Sequence, residues 1–152
     1  MVTAMISPAT ILIVDDEKHT RDGLRLSLED EFDVYVAGNI AEALEFLRND
    51  QVDVLLTDLR LAGESGMDLI EQALKLPRPP ICVMMTAYGG VDTAVEAMKR
   101  GAYDFVTKPL NLDEVDILIK RALKGRTLEK ENVELKKQVE RKYAVEGILG
   151  QS

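Results

Sequence analysis

Apolar residues in this chain gather into short, nearly unbroken runs. Four stand out, "ILIV" at 11–14, "VDVLL" at 52–56, "ICVMM" at 81–85 and "YDFV" at 103–106, with a weaker alternating run, "DVYVA", at 33–37. Most lack the polar alternation of a half-exposed strand, the pattern expected of parallel strands covered on both faces. The segments between them have helical spacing. "LRLSLEDEF" follows the first run, "IAEALEFL" follows Asn39 as candidate N-cap, "MDLIEQAL" follows Ser65, and "VDTAVEAMKRG" ends on Gly101 as candidate C-cap.

Strand and helix alternate five times. That order predicts an α/β fold, a doubly wound five-stranded parallel sheet with right-handed crossovers. Ligands bind such sheets beyond the carboxyl ends of the strands. Those ends carry Asp15 and Asp16, then Asp58, then Thr86, then Lys108 followed by Pro109. Residues distant in sequence should therefore meet at one rim.

The last segment has another character. "NLDE" at 111–114 reads as a capping box, and from Leu112 to Glu146 there is no proline and one glycine, Gly125. A continuous helix there would measure about 50 Å, too long for the face of a small domain. A heptad frame fits its distal half, with Gly125, Asn132 and Val139 at a and Leu128, Leu135 and Lys142 at d. The flanking pairs Lys124–Glu129 and Glu131–Lys136 are opposite in sign across a parallel pair, and Asn at an a position fixes register. The expectation is a C-terminal helix at 123–146 that dimerises as a coiled coil through Leu128, Asn132, Leu135 and Val139; the alternative is a solvated linker helix.

Composition narrows the function classes. No apolar run approaches the ~20 residues a bilayer span needs, and the N-terminus "MVTAMISPAT" lacks a secretory pattern, so the reading is a soluble cytoplasmic protein with no membrane partner. Cys82, the single cysteine, sits inside an apolar run and cannot form an intrachain disulfide, which agrees with a reducing compartment. The net charge of -8 lies in the first part: residues 1–110 hold 10 Lys+Arg against 19 Asp+Glu, whereas residues 111–152 hold 9 against 8. Direct DNA contact by the first part is not expected, because phosphate backbones call for clustered positive charge.

Three carboxylates at strand ends suit a hard divalent cation, and Mg²⁺ uses one or two carboxylates with waters and a phosphate oxygen. Lys108 cannot ligate Mg²⁺, but its ammonium can hold an anion. Metal, ammonium and hydroxyl together describe a phosphoryl site in which one aspartate could be the nucleophile. The lone histidine, His19, lies at the start of the first helix and reads as an ordinary exposed residue.

In order and spacing, "ILIVDDE", "VDVLLTDLRLAGESGMDLI", "VMMTAYGG" and "GAYDFVTKPL" resemble the receiver domain of bacterial two-component response regulators, over residues 10–122. The resemblance implies a flavodoxin-like strand order 2-1-3-4-5. It implies that Asp58 is the phosphoacceptor, taking its phosphoryl group from a sensor histidine kinase. Mg²⁺ would be bound by Asp16 and Asp58 directly, by Asp15 through water, and by the backbone carbonyl of Arg60. Lys108, the Thr86 hydroxyl and the Ala87 backbone N–H would hold the phosphate, with Phe105 as the switch aromatic. Lys108–Pro109 is a candidate cis bond. The domain would be a phosphoacceptor switch, with homodimerisation through helix 4, strand 5 and helix 5.

The long fifth helix, "EKENVELKKQVE" and the terminal "GILGQS" are similar to the receiver-linker part of sigma-54-dependent (NtrC-like) activators. Residues 1–9 read as a disordered or tag-like start, and by that resemblance residues 147–152 open an AAA+ ATPase domain. The rest of that domain and the DNA-binding part would belong to the full-length protein. No G-x-x-x-x-G-K-[ST] loop occurs in this chain. Two other readings are a phosphate-independent interaction module, whose signature would be a missing Asp, Thr or Lys, and a Mg²⁺-dependent phosphatase. Haloacid-dehalogenase-like enzymes carry a second aspartate two residues after the nucleophile, where this chain has Arg60.

Overall fold

A computed structural model describes residues 8–87 and 91–126. Strand β1 (Thr10–Val14) leads to α1 (Lys18–Leu28), β2 (Asp33–Ala37), α2 (Ile40–Asn49) and β3 (Val54–Asp58). After a small hairpin of Arg60–Leu61 and Glu64–Ser65 come α3 (Gly66–Leu74), β4 (Ile81–Thr86), α4 (Val91–Lys99) and β5 (Asp104–Thr107). A final helix, α5, begins at residue 112 and is described to residue 126. Two compact units divide the chain, Met1–Ile119 and Lys120–Ser152; of the second, residues 120–126 are described and are helical. The heptad positions Leu128, Asn132, Leu135 and Val139, the segment 147–152 and most of the 1–9 segment lie outside the described residues.

The five strands form one parallel sheet in the order β2-β1-β3-β4-β5, the doubly wound order 2-1-3-4-5. Continuous apolar runs became the inner strands because both of their faces are covered. All five residues of β3 are buried, as are the last four of β1 and the last five of β4. By contrast β2 is an edge strand whose exposure alternates, matching its weaker pattern. Burying a Val, Leu or Ile side chain contributes about 1.5–3 kcal/mol, so Ile11, Leu12, Ile13, Leu55 and Leu56 anchor the fold.

The helix starts read from sequence are made as expected. Asn39 Oδ1 accepts the Glu42 N–H at 2.9 Å, Ser65 Oγ accepts the Met67 N–H at 3.2 Å, and Asn111 Oδ1 accepts from Asp113 and Glu114 at 3.0 and 3.2 Å. Past α4, Gly101 turns the chain with φ 107°.

Two local features differ from the sequence pattern. The third strand runs over Val54–Asp58 instead of 52–56, because Asp53 precedes its amino end and is tied to Thr10 at the start of β1. Its N–H donates to the Thr10 carbonyl at 2.9 Å while its carboxylate accepts the Thr10 N–H at 2.8 Å. Asp58 is consequently the last residue of the central strand. The hairpin after it leaves no periodic signal in the sequence, since two-residue strands are too short to carry a period.

Candidate functional site

Strand register brings the rim residues together. Val14 pairs with Thr57 across β1 and β3, so Asp15 and Asp58, one residue further on each strand, become neighbours. Asp58 pairs with Met85 across β3 and β4, and Thr86 pairs with Thr107 across β4 and β5. Lys108 follows directly, its N–H donating to the Thr86 carbonyl at 2.8 Å. The Lys108–Pro109 peptide bond is cis.

Lys108 Nζ donates to Asp15 Oδ2 and to Asp58 Oδ2, each at 2.9 Å. One ammonium thus bridges two carboxylates that have little access to water. The second Asp15 oxygen accepts the Glu17 N–H at 2.8 Å, and the second Asp58 oxygen accepts the Arg60 N–H at 3.4 Å. Asp16 is exposed, and its Oδ2 accepts the Ala62 N–H at 3.2 Å from the hairpin turn. Oxygens of Asp15, Asp16 and Asp58 all lie within 4.8 Å of one another.

The electrostatics follow from this crowding. Burial pushes the Asp15 carboxyl above its ordinary range, against the opposing pull of Lys108 and the Glu17 N–H. Burial also works against the Lys108 charge, but its hydrogen bonds to Asp15 and Asp58 outweigh it and hold the ammonium above its usual range. Three carboxylates served by one ammonium remain net negative. That imbalance, an all-oxygen donor set and the 4.8 Å spacing fit a hard divalent cation such as Mg²⁺.

Thr86 is buried at the end of β4, and Ala87 is exposed immediately after it. Phe105 lies on β5, opposite Met84, half-buried against the core, with its N–H donating to the Asp104 side chain at 2.8 Å. His19 is exposed on α1. Sequence reasoning missed three residues that shape this rim. Arg21 donates to the Asp15 carbonyl at 2.7 Å, Thr57 donates from Oγ1 to the Asp58 carbonyl at 3.0 Å, and Gly66 packs directly on the Asp58 backbone. Gly66 had one legible signal, a glycine at the first position of a predicted helix, where it is a poor helix former.

Comparison with known proteins decides the family, since residues 11–120 match the response regulator receiver domain. The chain belongs to the response regulator receiver family. Among curated relatives, the response regulator protein PilR of Pseudomonas aeruginosa is 43% identical over 122 residues, covering 79% of this chain and 27% of that protein. The regulatory protein AtoC of Escherichia coli is 36% identical over 122 residues, covering 80% and 26%. This chain therefore spans about a quarter of the length of the curated relatives it matches. Among solved structures, NtrX from Brucella abortus in complex with ADP superposes with a TM-score of 0.78 at 32% identity, over 87% of this chain and 30% of that one. The beryllofluoride-activated NtrC4 receiver domain dimer superposes with a TM-score of 0.72 at 29% identity, over 76% and 97%. Among the described residues no helix is long and apolar enough to cross a membrane.

Proposed function

We propose that this receiver domain accepts a phosphoryl group on Asp58 from the phosphohistidine of a sensor kinase, and that it does so in a regulator of the sigma-54-dependent activator class. The observation carrying the proposal is the bridge from Lys108 to Asp58 and Asp15, 2.9 Å on each side, with Asp16 completing an acidic trio.

The residues divide the work by position. Asp58 ends the central strand with one carboxylate oxygen on Lys108, and its carboxylate attacks phosphorus. An O–P bond forms as the P–N bond to the kinase imidazole breaks, the bonding electrons staying on nitrogen, which takes a proton from solvent. Lys108 is placed to follow the charge onto the phosphoryl oxygens. Asp15, Asp16, Asp58 and the Arg60 carbonyl would hold Mg²⁺, which when bound supplies positive charge that offsets repulsion between Asp58 and the incoming group. The Thr86 hydroxyl and the Ala87 N–H would then bind the phosphate.

Phosphorylation would draw Thr86 toward the new anion and let Phe105 move inward, repacking α4, β5 and α5. That face would pair two copies of the chain. A receiver dimer is known for NtrC4, and similarity to NtrX, PilR and AtoC supports an activator whose AAA+ and DNA-binding domains follow the receiver. Residues 123–146 would carry the signal onward as a linker helix. Transfer of label from an autophosphorylated kinase to this chain, with native mass followed in parallel, tests the proposal. Label without any change in native mass would leave the phosphoacceptor standing and remove the dimer switch.

A further inference from the structure

Arg21 uses its charge differently from its neighbours on the surface. Arg25 pairs with Glu29, Arg78 with Gln51, and Arg100 with Glu71 and Glu96, all through side chains near solvent. The Arg21 side chain instead reaches from α1 to the loop after β1 and donates from Nη1 to the main-chain carbonyl of Asp15 at 2.7 Å. It passes over Gly38, where a Cβ would stand 3.3 Å from Nη1 and 3.9 Å from Cζ. The bare Gly38 backbone leaves the guanidinium its seat.

This bond completes the hold on Asp15. The Asp15 N–H donates to the Ala37 carbonyl at 3.1 Å, and its carboxylate is shared between the Glu17 N–H and Lys108. The carbonyl was the remaining polar group, and Arg21 takes it with a short, charge-assisted bond. The Asp15 carbonyl and the Asp16 N–H belong to one planar peptide, so fixing the carbonyl also fixes the direction in which the chain enters Asp16. Asp16 Oδ2 accepts the longer Ala62 N–H bond, at 3.2 Å.

We infer that Arg21 is the positioning residue of the cation site: by clamping the Asp15 carbonyl it presets the two adjacent carboxylates for Mg²⁺. The inference rests on the proposed phosphoacceptor reading and deepens it. Groups that orient metal ligands typically account for 10–100-fold in metal affinity, so losing the clamp should weaken Mg²⁺ binding without removing any ligand.

The test is a Mg²⁺ titration of the full 152-residue chain, following amide shifts near Asp16 and Asp58, for the parent, Arg21→Met, Arg21→Gln, Arg21→Lys and the same-helix control Arg25→Met. We expect Arg21→Met to bind about tenfold more weakly and Arg21→Gln to fall between it and the parent. Arg21→Lys should recover most of the loss, and Arg25→Met should match the parent. Phosphorylation by acetyl phosphate should need more Mg²⁺ in Arg21→Met yet approach the parent rate at saturating metal. If Arg21→Met fails to fold, the Gln and Lys variants carry the same comparison. Parent-like affinity in both Arg21→Met and Arg21→Gln overturns the inference, as does an equal loss in Arg25→Met or no recovery with lysine. A parent chain that neither binds Mg²⁺ nor takes phosphate overturns the phosphoacceptor reading itself, and this inference with it.

Discussion

Gly66, the first residue of α3, packs so closely on Asp58 that a Cβ there would overlap the Asp58 carbonyl oxygen. The same position lies beside Thr57 Oγ1, and the Gly66 N–H donates to the Leu59 carbonyl at 2.7 Å. Backbone cannot step aside as a flexible side chain can. Gly66→Ala should therefore destabilise the fold by about 1–3 kcal/mol and displace the end of β3. Urea unfolding gives the first quantity, and acetyl phosphate labelling should fall together with it. An alanine variant as stable and as readily labelled as the parent would contradict this packing.

Lys108 separates two carboxylates, and its removal leaves them facing each other with little water. Its ammonium is held above the usual lysine range, so its contribution is fully present at neutral pH and is lost only as pH rises through that alkaline value. Lys108→Met should lower stability at pH 7 by about 1–3 kcal/mol, the scale for orphaning a buried polar partner. The loss should shrink on acidification, as protons replace the missing cation. Chemical denaturation across pH checks both statements.

Asp15 has the same sign in a more acidic window. Burial raises its carboxyl pKa, so the folded state retains this proton at pH values where the unfolded chain has released it. Its stabilising contribution is present below the unfolded value and is lost as pH rises through the folded one. In metal-free solution, Asp15→Asn should gain on the parent in stability as pH rises above the ordinary aspartate range. Added Mg²⁺ should reverse that gain by stabilising the parent alone. Unfolding curves with and without Mg²⁺ at several pH values measure this, and a variant that loses ground on the parent as pH rises would refute it.

Thr86 is buried at the end of β4, paired with Thr107 and accepting the Lys108 N–H at its carbonyl. Thr86→Ala should accept phosphate at close to the parent rate while losing the change in native mass. Thr86→Ser, which keeps the hydroxyl, should retain both. Labelling and light scattering on the same samples distinguish the two effects.

The sheet and the rim were legible in sequence for one physical reason. Parallel inner strands are covered on both faces, so β1, β3 and β4 appear as apolar runs, and Asp15, Asp58 and Thr86 mark where those runs stop. Register was less legible. Val52 is buried beyond the strand it was assigned to, so hydrophobicity alone placed β3 two residues early. Arg21 was illegible because an arginine on the polar face of a helix looks solvated until its carbonyl partner is seen. Gly66 is read in sequence only as a weak helix start, whereas its role is lack of bulk beside the Asp58 backbone. The heptad positions from Leu128 to Lys142 lie outside the described residues, and their pairing rests on the native-mass experiments.

The most direct measurement is the intact mass of the chain after incubation with acetyl phosphate and Mg²⁺, beside Asp58→Asn. The account predicts one added phosphoryl group on the parent and none on the variant. Addition to both proteins, or to neither once Mg²⁺ binding has been verified, would contradict Asp58 as the acceptor.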